Sequence, residues 1–217
     1  MEAYQSGFLN FAIDSGALQF GEFTLKSGRR SPYFFNTGLF NTGERLRRLG
    51  EYYAAALVAS TIPFDMLYGP AYKGITLVAA TAIGLASRHG LDRPYAFNRK
   101  EVKDHGEGGD IVGAPLAGRV VIVDDVISSG LSIRESADII SARGAELAGV
   151  CISFDRQERG SAARSAVAEV KDRFRVPIVS IASRRTLQAF LAAEPTRAPL
   201  SAALDRYASD YGVEEKD

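Results

Sequence analysis

The sequence predicts an α/β fold: a doubly wound, mostly parallel sheet flanked by helices, with a small hood subdomain. Three observations predict it. Short runs rich in Val, Ile and aromatic residues alternate with longer segments of helical spacing. No internal repeat or low-complexity linker breaks the alternation. The composition, 217 residues with 46% hydrophobic and 24% charged, is that of one ordinary globular domain able to bury its own core. Strand–helix alternation implies right-handed crossovers between parallel strands.

The elements follow in chain order. The first 40 or so residues fit the alternation poorly and, with the C-terminal elements, are expected to form the hood over the strand ends. A helix over about 44–60 places Leu46, Leu49, Tyr53 and Leu57 on one face, with Arg45, Arg47 and Arg48 on its solvated side. A strand is expected at Phe64–Tyr68, then a helix over about 73–89 with Leu77, Ala80, Ile83 and Gly84 as its packing stripe. His89, before Gly90, suits the negative end of that helix dipole. Tyr95–Phe97 reads as a strand, and about 100–118, rich in glycine, as a mobile lid. Val120–Val123 is a strand, about 131–143 a helix, and Leu147–Phe154 a strand with Cys151 as a small core residue. Weaker patterns place a helix at about 161–173, a strand at Val176–Ile181 and a helix at about 185–194. In doubly wound sheets ligands sit beyond the carboxyl ends of the strands. The informative segments are therefore Gly69–Lys73, Asn98–Lys103, Asp124–Ser132 and Asp155–Arg159.

Charge and cysteine usage narrow the class. Lys and Arg number 26 against 26 Asp and Glu, a balance that disfavours a nucleic-acid polymer as partner. It leaves room for a small anion, which needs only local charge. One cysteine rules out an intrachain disulfide. Two distant histidines and that cysteine make a poor zinc site. No apolar run reaches the length of a membrane helix, and no basic stretch followed by an apolar core opens the chain. The expectation is a cytoplasmic protein with no membrane partner.

The most informative segment runs from Val120 to Ser132, Val-Val-Ile-Val-Asp-Asp-Val-Ile-Ser-Ser-Gly-Leu-Ser. A hydrophobic strand ends in two carboxylates, and a small-residue loop leads into a helix. Ser132 and Glu135 have capping-box spacing. Such a loop presents free backbone N–H groups and a positive dipole end, which is a phosphate cradle. The Ser128, Ser129 and Ser132 hydroxyls add donors. Neither Gly-x-x-x-x-Gly-Lys-Ser/Thr nor Gly-x-Gly-x-x-Gly is present in this segment. Carboxylates repel phosphate but suit sugar hydroxyls or a cation, so the ligand is read as a sugar phosphate. The bland alternative is a strand end with a solvated Asp pair and a Ser-capped helix.

This segment resembles the phosphoribosyl-pyrophosphate (PRPP) signature of the type I phosphoribosyltransferases. Phe23–Asn36, Gly69–Gly74 and Asn98–Gly106 narrow the resemblance to the orotate phosphoribosyltransferases. It implies the type I fold and transfer of ribose 5-phosphate from PRPP to orotate, giving orotidine 5′-monophosphate and pyrophosphate in de novo pyrimidine (UMP) biosynthesis. Mg²⁺ is implied as cofactor, held mainly by PRPP and water and not by a protein cage. A homodimer with loop exchange is implied, with orotate and PRPP as the small-molecule partners.

The resemblance also assigns residues. Val126, Ile127, Ser128, Ser129, Gly130, Leu131 and Ser132 belong to the 5-phosphate loop, and Asp124 and Asp125 to the ribose hydroxyls. Tyr72, Lys73 and Arg99 fall on pyrophosphate positions, and Lys100, Lys103 and His105 on the closing loop. Lys26 reaches PRPP and the orotate region, and Ser128 also borders orotate. Phe34 and Phe35 match the positions that stack on orotate and contact it through backbone, and Arg156 matches the partner of its carboxylate. Lys26, Lys73, Lys100, Lys103, His105, Asp124 and Asp125 form the catalytic set. The physical logic agrees: several cations meet pyrophosphate, and Arg grips a planar carboxylate. Two departures stand out: Ser128 replaces the family's usual Thr, and Leu131 removes one phosphate donor. For Lys26, Arg29 and Arg30 the residues alone leave a solvated face and a ligand role about even, and the resemblance favours Lys26 only.

Two other functions compete. A purine phosphoribosyltransferase would have no use for Arg156, because purines lack a carboxylate. A non-catalytic nucleotide- or RNA-binding regulator would have no need of Lys73, Arg99, Lys100, Lys103 and His105.

Overall fold

The computed structural model describes residues 1–103, 109–160 and 164–213, except the side chains of Val102 and Lys103. Helix α1 (Ala3–Asp14) leads into an antiparallel ribbon, β1 (Leu18–Thr24) with β2 (Arg30–Phe35). A 3₁₀ turn at Thr37–Leu39 follows, then α2 (Gly43–Ser60). The remaining strands are β3 (Met66–Gly69), β4 (Tyr95–Lys103), β5 (Gly109–Gly113), β6 (Arg119–Asp124), β7 (Glu146–Asp155) and β8 (Ile178–Ser183). The remaining helices are α3 (Lys73–His89), α4 (Leu131–Ser141), α5 (Ala166–Phe174), α6 (Arg184–Ala192) and α7 (Ala198–Tyr211). Among the described residues no helix is long and apolar enough to cross a membrane.

The main sheet has the order β5-β4-β3-β6-β7-β8, parallel except for the antiparallel edge β5. The central strands are apolar throughout because both faces are covered. In β6, Val121 and Val123 pack toward α1, α2 and α3, while Val120 and Ile122 pack toward α4 and α5. Cys151 in β7 is fully buried.

Glycines set how closely the first layer packs. A Cβ on Gly50 of α2 would meet the Ala80 carbonyl oxygen of α3 at 2.2 Å, and one on Gly84 would meet the Gly50 oxygen at 2.6 Å. The two helices therefore approach backbone to backbone, and α3 delivers its first residue, Lys73, to the sheet end.

The strand order fixes the site. From β3 the chain crosses through α3 to β4 on one side; from β6 it crosses through α4 to β7 on the other. The neighbours β3 and β6 form the topological switch point, where the loops after both strands leave a crevice.

Several expectations need correction. The segment read as a lid over about 100–118 is partly strand: β4 continues to Lys103 and pairs with β5, Phe97 opposite Val112 and Lys103 opposite Gly109. His105 and residues 104–108 lie outside the described residues. The helix expected over 161–173 is Ala166–Phe174, capped by the Ser165 hydroxyl accepting from the Ala168 amide. Of the three arginines read as solvated on α2, only Arg47 faces outward with paired acids, Glu44 and Glu51. Arg45 donates to the Leu39 carbonyl at 3.0 Å, and Arg48 lies over the Phe11 ring. Ile83 is largely exposed and does not belong to the α3 packing stripe.

Candidate active site at the strand ends

Strand β6 delivers Asp124 and Asp125 into the switch-point crevice, both nearly buried at 8% and 9% exposure. Asp124 accepts the Asp125 amide at 2.8 Å and the Ser132 hydroxyl at 2.9 Å. Burial, the largest influence, and the neighbouring Asp125 raise its carboxyl to about 6, against the hydrogen bonds it accepts. Asp125 accepts the Val126 amide at 2.7 Å, the Thr37 hydroxyl at 3.2 Å, and the Lys73 ammonium in an ion pair. The expected Ser132–Glu135 capping box does not form. Gly130, at φ +69°, is the N-cap of α4, and the Ser132 hydroxyl is tied to Asp124 instead. A Cβ at Gly130 would also meet Val170 at 2.8 Å.

The amides of Ile127, Ser128, Ser129 and Gly130 donate to no described group. They precede the N-terminus of α4 and border a cleft of about 320 Å³. Pro70, Ala71, Asn98, Lys100, Asp124 and the whole Val126–Ser132 loop line it. Leu131 is 53% exposed and contributes no donor from its side chain.

The cations come from separate elements. Lys73 opens α3 beside Tyr72, which is 72% exposed, and the Ala71–Tyr72 peptide is cis. The Ala71 amide donates to the Asn98 side chain at 2.8 Å, tying this turn to β4. Arg99 and Lys100 follow on β4, and Arg99 reaches the Gly109 carbonyl of β5. Tyr72, Arg99 and Lys100 share a second groove of about 460 Å³ with Ile75, Phe97 and Val112. Lys103 stands at the end of β4, its side chain among those not described. Lys26 is exposed at the tip of the β1–β2 ribbon and is not brought into the cleft.

The ribbon is pinned over the sheet at two points. Thr37 bonds Asp125, and the Ser31 hydroxyl accepts from Arg156 at 3.0 Å. Arg156, just past β7, lies 4.2 Å above the Tyr33 ring and pairs with Glu158. Phe35 is stacked on Phe154 at 5.2 Å, so its ring is spent on the core. Phe34 points outward, 39% exposed, against Phe23.

Sequence reasoning missed the groups that hold these side chains. Tyr53 donates to the Asp124 carbonyl at 2.7 Å and Ser153 to the Asp125 carbonyl at 2.6 Å. Thr37 was missed likewise, while Asn98 and Glu158 fall in segments singled out by sequence but without a role assigned. Buried polar residues next to a strand-end acid pair are the available signal, but their partners are distant in sequence. Among the described residues no three His, Cys, Asp or Glu side chains gather as a metal cage.

The comparisons with known proteins agree with this geometry. The family model for the phosphoribosyl transferase domain matches residues 42–179. An orotate phosphoribosyltransferase of Pseudomonas putida is 58% identical over 98% of this chain and 100% of its own length. One from Thioalkalivibrio sulfidiphilus is 57% identical over the same shares. The crystal structure of a Francisella tularensis orotate phosphoribosyltransferase superposes with a TM-score of 0.86 at 39% identity, covering 95% of this chain and all of that one. With the acid pair, the donor loop and the cationic turns meeting at the switch point, this chain belongs to the orotate phosphoribosyltransferase family.

Proposed function

We infer that the chain transfers ribose 5-phosphate from PRPP to a ring nitrogen of orotate, giving orotidine 5′-monophosphate and pyrophosphate, a step of de novo pyrimidine biosynthesis. The observation that carries the site assignment is the β6 end. Nearly buried Asp124 and a run of amides without described partners line one cleft, and Asp125 next in sequence is paired with Lys73. Phosphate suits the amides of Ile127 to Gly130 at the head of α4, and the ribose hydroxyls suit Asp124 and Asp125. Lys73 leaves Asp125 to meet pyrophosphate, joined by Tyr72, Arg99 and Lys100. Lys103 and His105 close over them, and Lys26 swings in from the ribbon tip. Orotate lies between Phe34, the Phe35 backbone and Ser128, its carboxylate on Arg156.

The reaction breaks the bond from the anomeric carbon to pyrophosphate and forms one to nitrogen, through a cation-like ribose. No covalent nucleophile is needed. The protein's contribution is positioning and stabilisation of negative charge on the departing oxygens. Mg²⁺ fits this donor set, since the hard carboxylate oxygens of Asp124 and Asp125 stand beside a phosphate cradle. When bound with PRPP it neutralises charge on the leaving group.

Homodimerisation is supported by exposed Tyr72 beside the apolar residues Ile75, Phe97 and Val112. A cytoplasmic setting fits the single cysteine, whose burial pushes its thiol far up. Turnover with orotate, hypoxanthine and adenine in parallel tests substrate choice. Orotate is expected to be the one base consumed at an appreciable rate, and preference for a purine contradicts the assignment.

A further inference from the structure

We propose that Glu158 is a positioning residue for Arg156, and that orotate binds well because this pair is built before substrate arrives; the inference rests on the reading of Arg156 as the carboxylate partner. The geometry is specific. Arg156 Nε donates to Glu158 Oε1 at 2.7 Å, and Nη2 lies 2.7 Å from the same oxygen. Nη2 also donates to the Ser31 hydroxyl at 3.0 Å, and the guanidinium plane sits over Tyr33. The Tyr207 side chain of α7 also lies against this guanidinium. The guanidinium is thus fastened by Glu158, Ser31 and Tyr33 before any ligand arrives.

Glu158 is held in turn. Its Oε2 lies 3.6 Å from Arg29 Nη1, and its backbone forms an antiparallel bridge with Gly212. On either side, the Val213 amide donates to the Gln157 carbonyl at 3.0 Å and the Arg159 amide to the Tyr211 carbonyl at 2.9 Å. Gln157, at φ +49°, makes the local turn. The segment after β7 is thus clamped by the chain that follows α7. An arginine free to rotate loses much side-chain entropy when it grips a ligand; one already fastened loses little.

Electrostatics alone predicts the opposite sign. Glu158 is an anion near the place where a second carboxylate binds, so removing its charge leaves Arg156 and Arg29 more attractive to orotate. Orientation therefore predicts weaker orotate binding in Glu158→Gln, and bare attraction predicts stronger.

The experiment is steady-state kinetics on the full chain for Glu158→Gln, Arg156→Ala and the double variant, with thermal unfolding as the folding control. The expected result is a KM for orotate about tenfold higher in Glu158→Gln, with KM for PRPP changed less than about twofold. The double variant is expected to be no worse than Arg156→Ala, because Glu158 acts through that arginine. Glu158→Asp keeps the charge on a shorter arm and is expected to raise the orotate KM about threefold. If Glu158→Gln does not fold, this variant decides, and an unchanged orotate KM in it overturns the inference. An orotate KM in Glu158→Gln that is unchanged or lower, while Arg156→Ala raises it selectively, overturns the positioning role alone. Arg156→Ala raising both KM values equally overturns the carboxylate assignment and the positioning role with it.

Discussion

The acid pair after β6 is held by groups distant in sequence: Tyr53 and Ser153 donate to its backbone carbonyls, and Thr37 and Lys73 to the Asp125 carboxylate. Asp124 shows the consequence. Its ordinary value is near 3.8 and burial raises it to about 6. A carboxyl raised on folding binds its proton more tightly in the native state, so it costs nothing below about pH 4. The cost grows through the window from 3.8 to 6 and is complete above it, at about 3 kcal/mol. Asp124→Asn removes that cost. Its melting temperature relative to wild type is expected to rise between pH 4 and pH 7, and a flat difference across that range contradicts the burial of an ionised group. The acid pair and Lys73 were legible in sequence because they stand at a strand end and a helix start. Their supports were not: Thr37, Tyr53 and Ser153 are common core and turn residues until the fold brings them to Asp124 and Asp125. The Ser132 hydroxyl misled for a related reason, since its spacing to Glu135 is local while its actual partner, Asp124, lies across the loop.

At the scale of elements, hydrophobic runs marked the central strands well because those strands are buried on both faces. The edge was harder to read. Strand β5, Gly-Asp-Ile-Val-Gly, has a glycine at each end and only two apolar residues, so it reads as loop until β4 pairs with it. The α2–α3 contact was half legible: the small-residue stripe is there, but Ile83 faces solvent while Gly50, on the other helix, makes the close approach. That contact matters to the site because α3 carries Lys73. Gly50→Ala has no room against the Ala80 carbonyl and is expected to destabilise the protein by about 3 kcal/mol. It is also expected to lower activity by displacing the start of α3. Chemical denaturation measures the first effect, and a variant as stable as wild type shows that the helices separate more easily than the backbone contact implies.

Across the whole molecule, the balanced charge of the chain conceals a local division: at the switch point Lys73 pairs with Asp125, and Lys100 lines the same cleft as Asp124. The parallel order β4-β3-β6-β7 places the loops after β3 and β6 side by side, and the ribbon bonds to both Asp125 and Arg156 from above. The fold class and the crevice followed from strand–helix alternation. The pinning of the ribbon by Thr37 and Ser31 did not, because it joins segments roughly a hundred residues apart. The central claim is that the β6 end holds the phosphoribosyl group during transfer. It is tested most directly by orotate-dependent pyrophosphate release from PRPP and Mg²⁺, comparing wild type with Asp125→Asn. The account predicts one pyrophosphate per orotidine 5′-monophosphate in wild type and a loss of about a hundredfold in rate in the folded variant. Full activity in Asp125→Asn, or no orotate-dependent release from wild type, contradicts it.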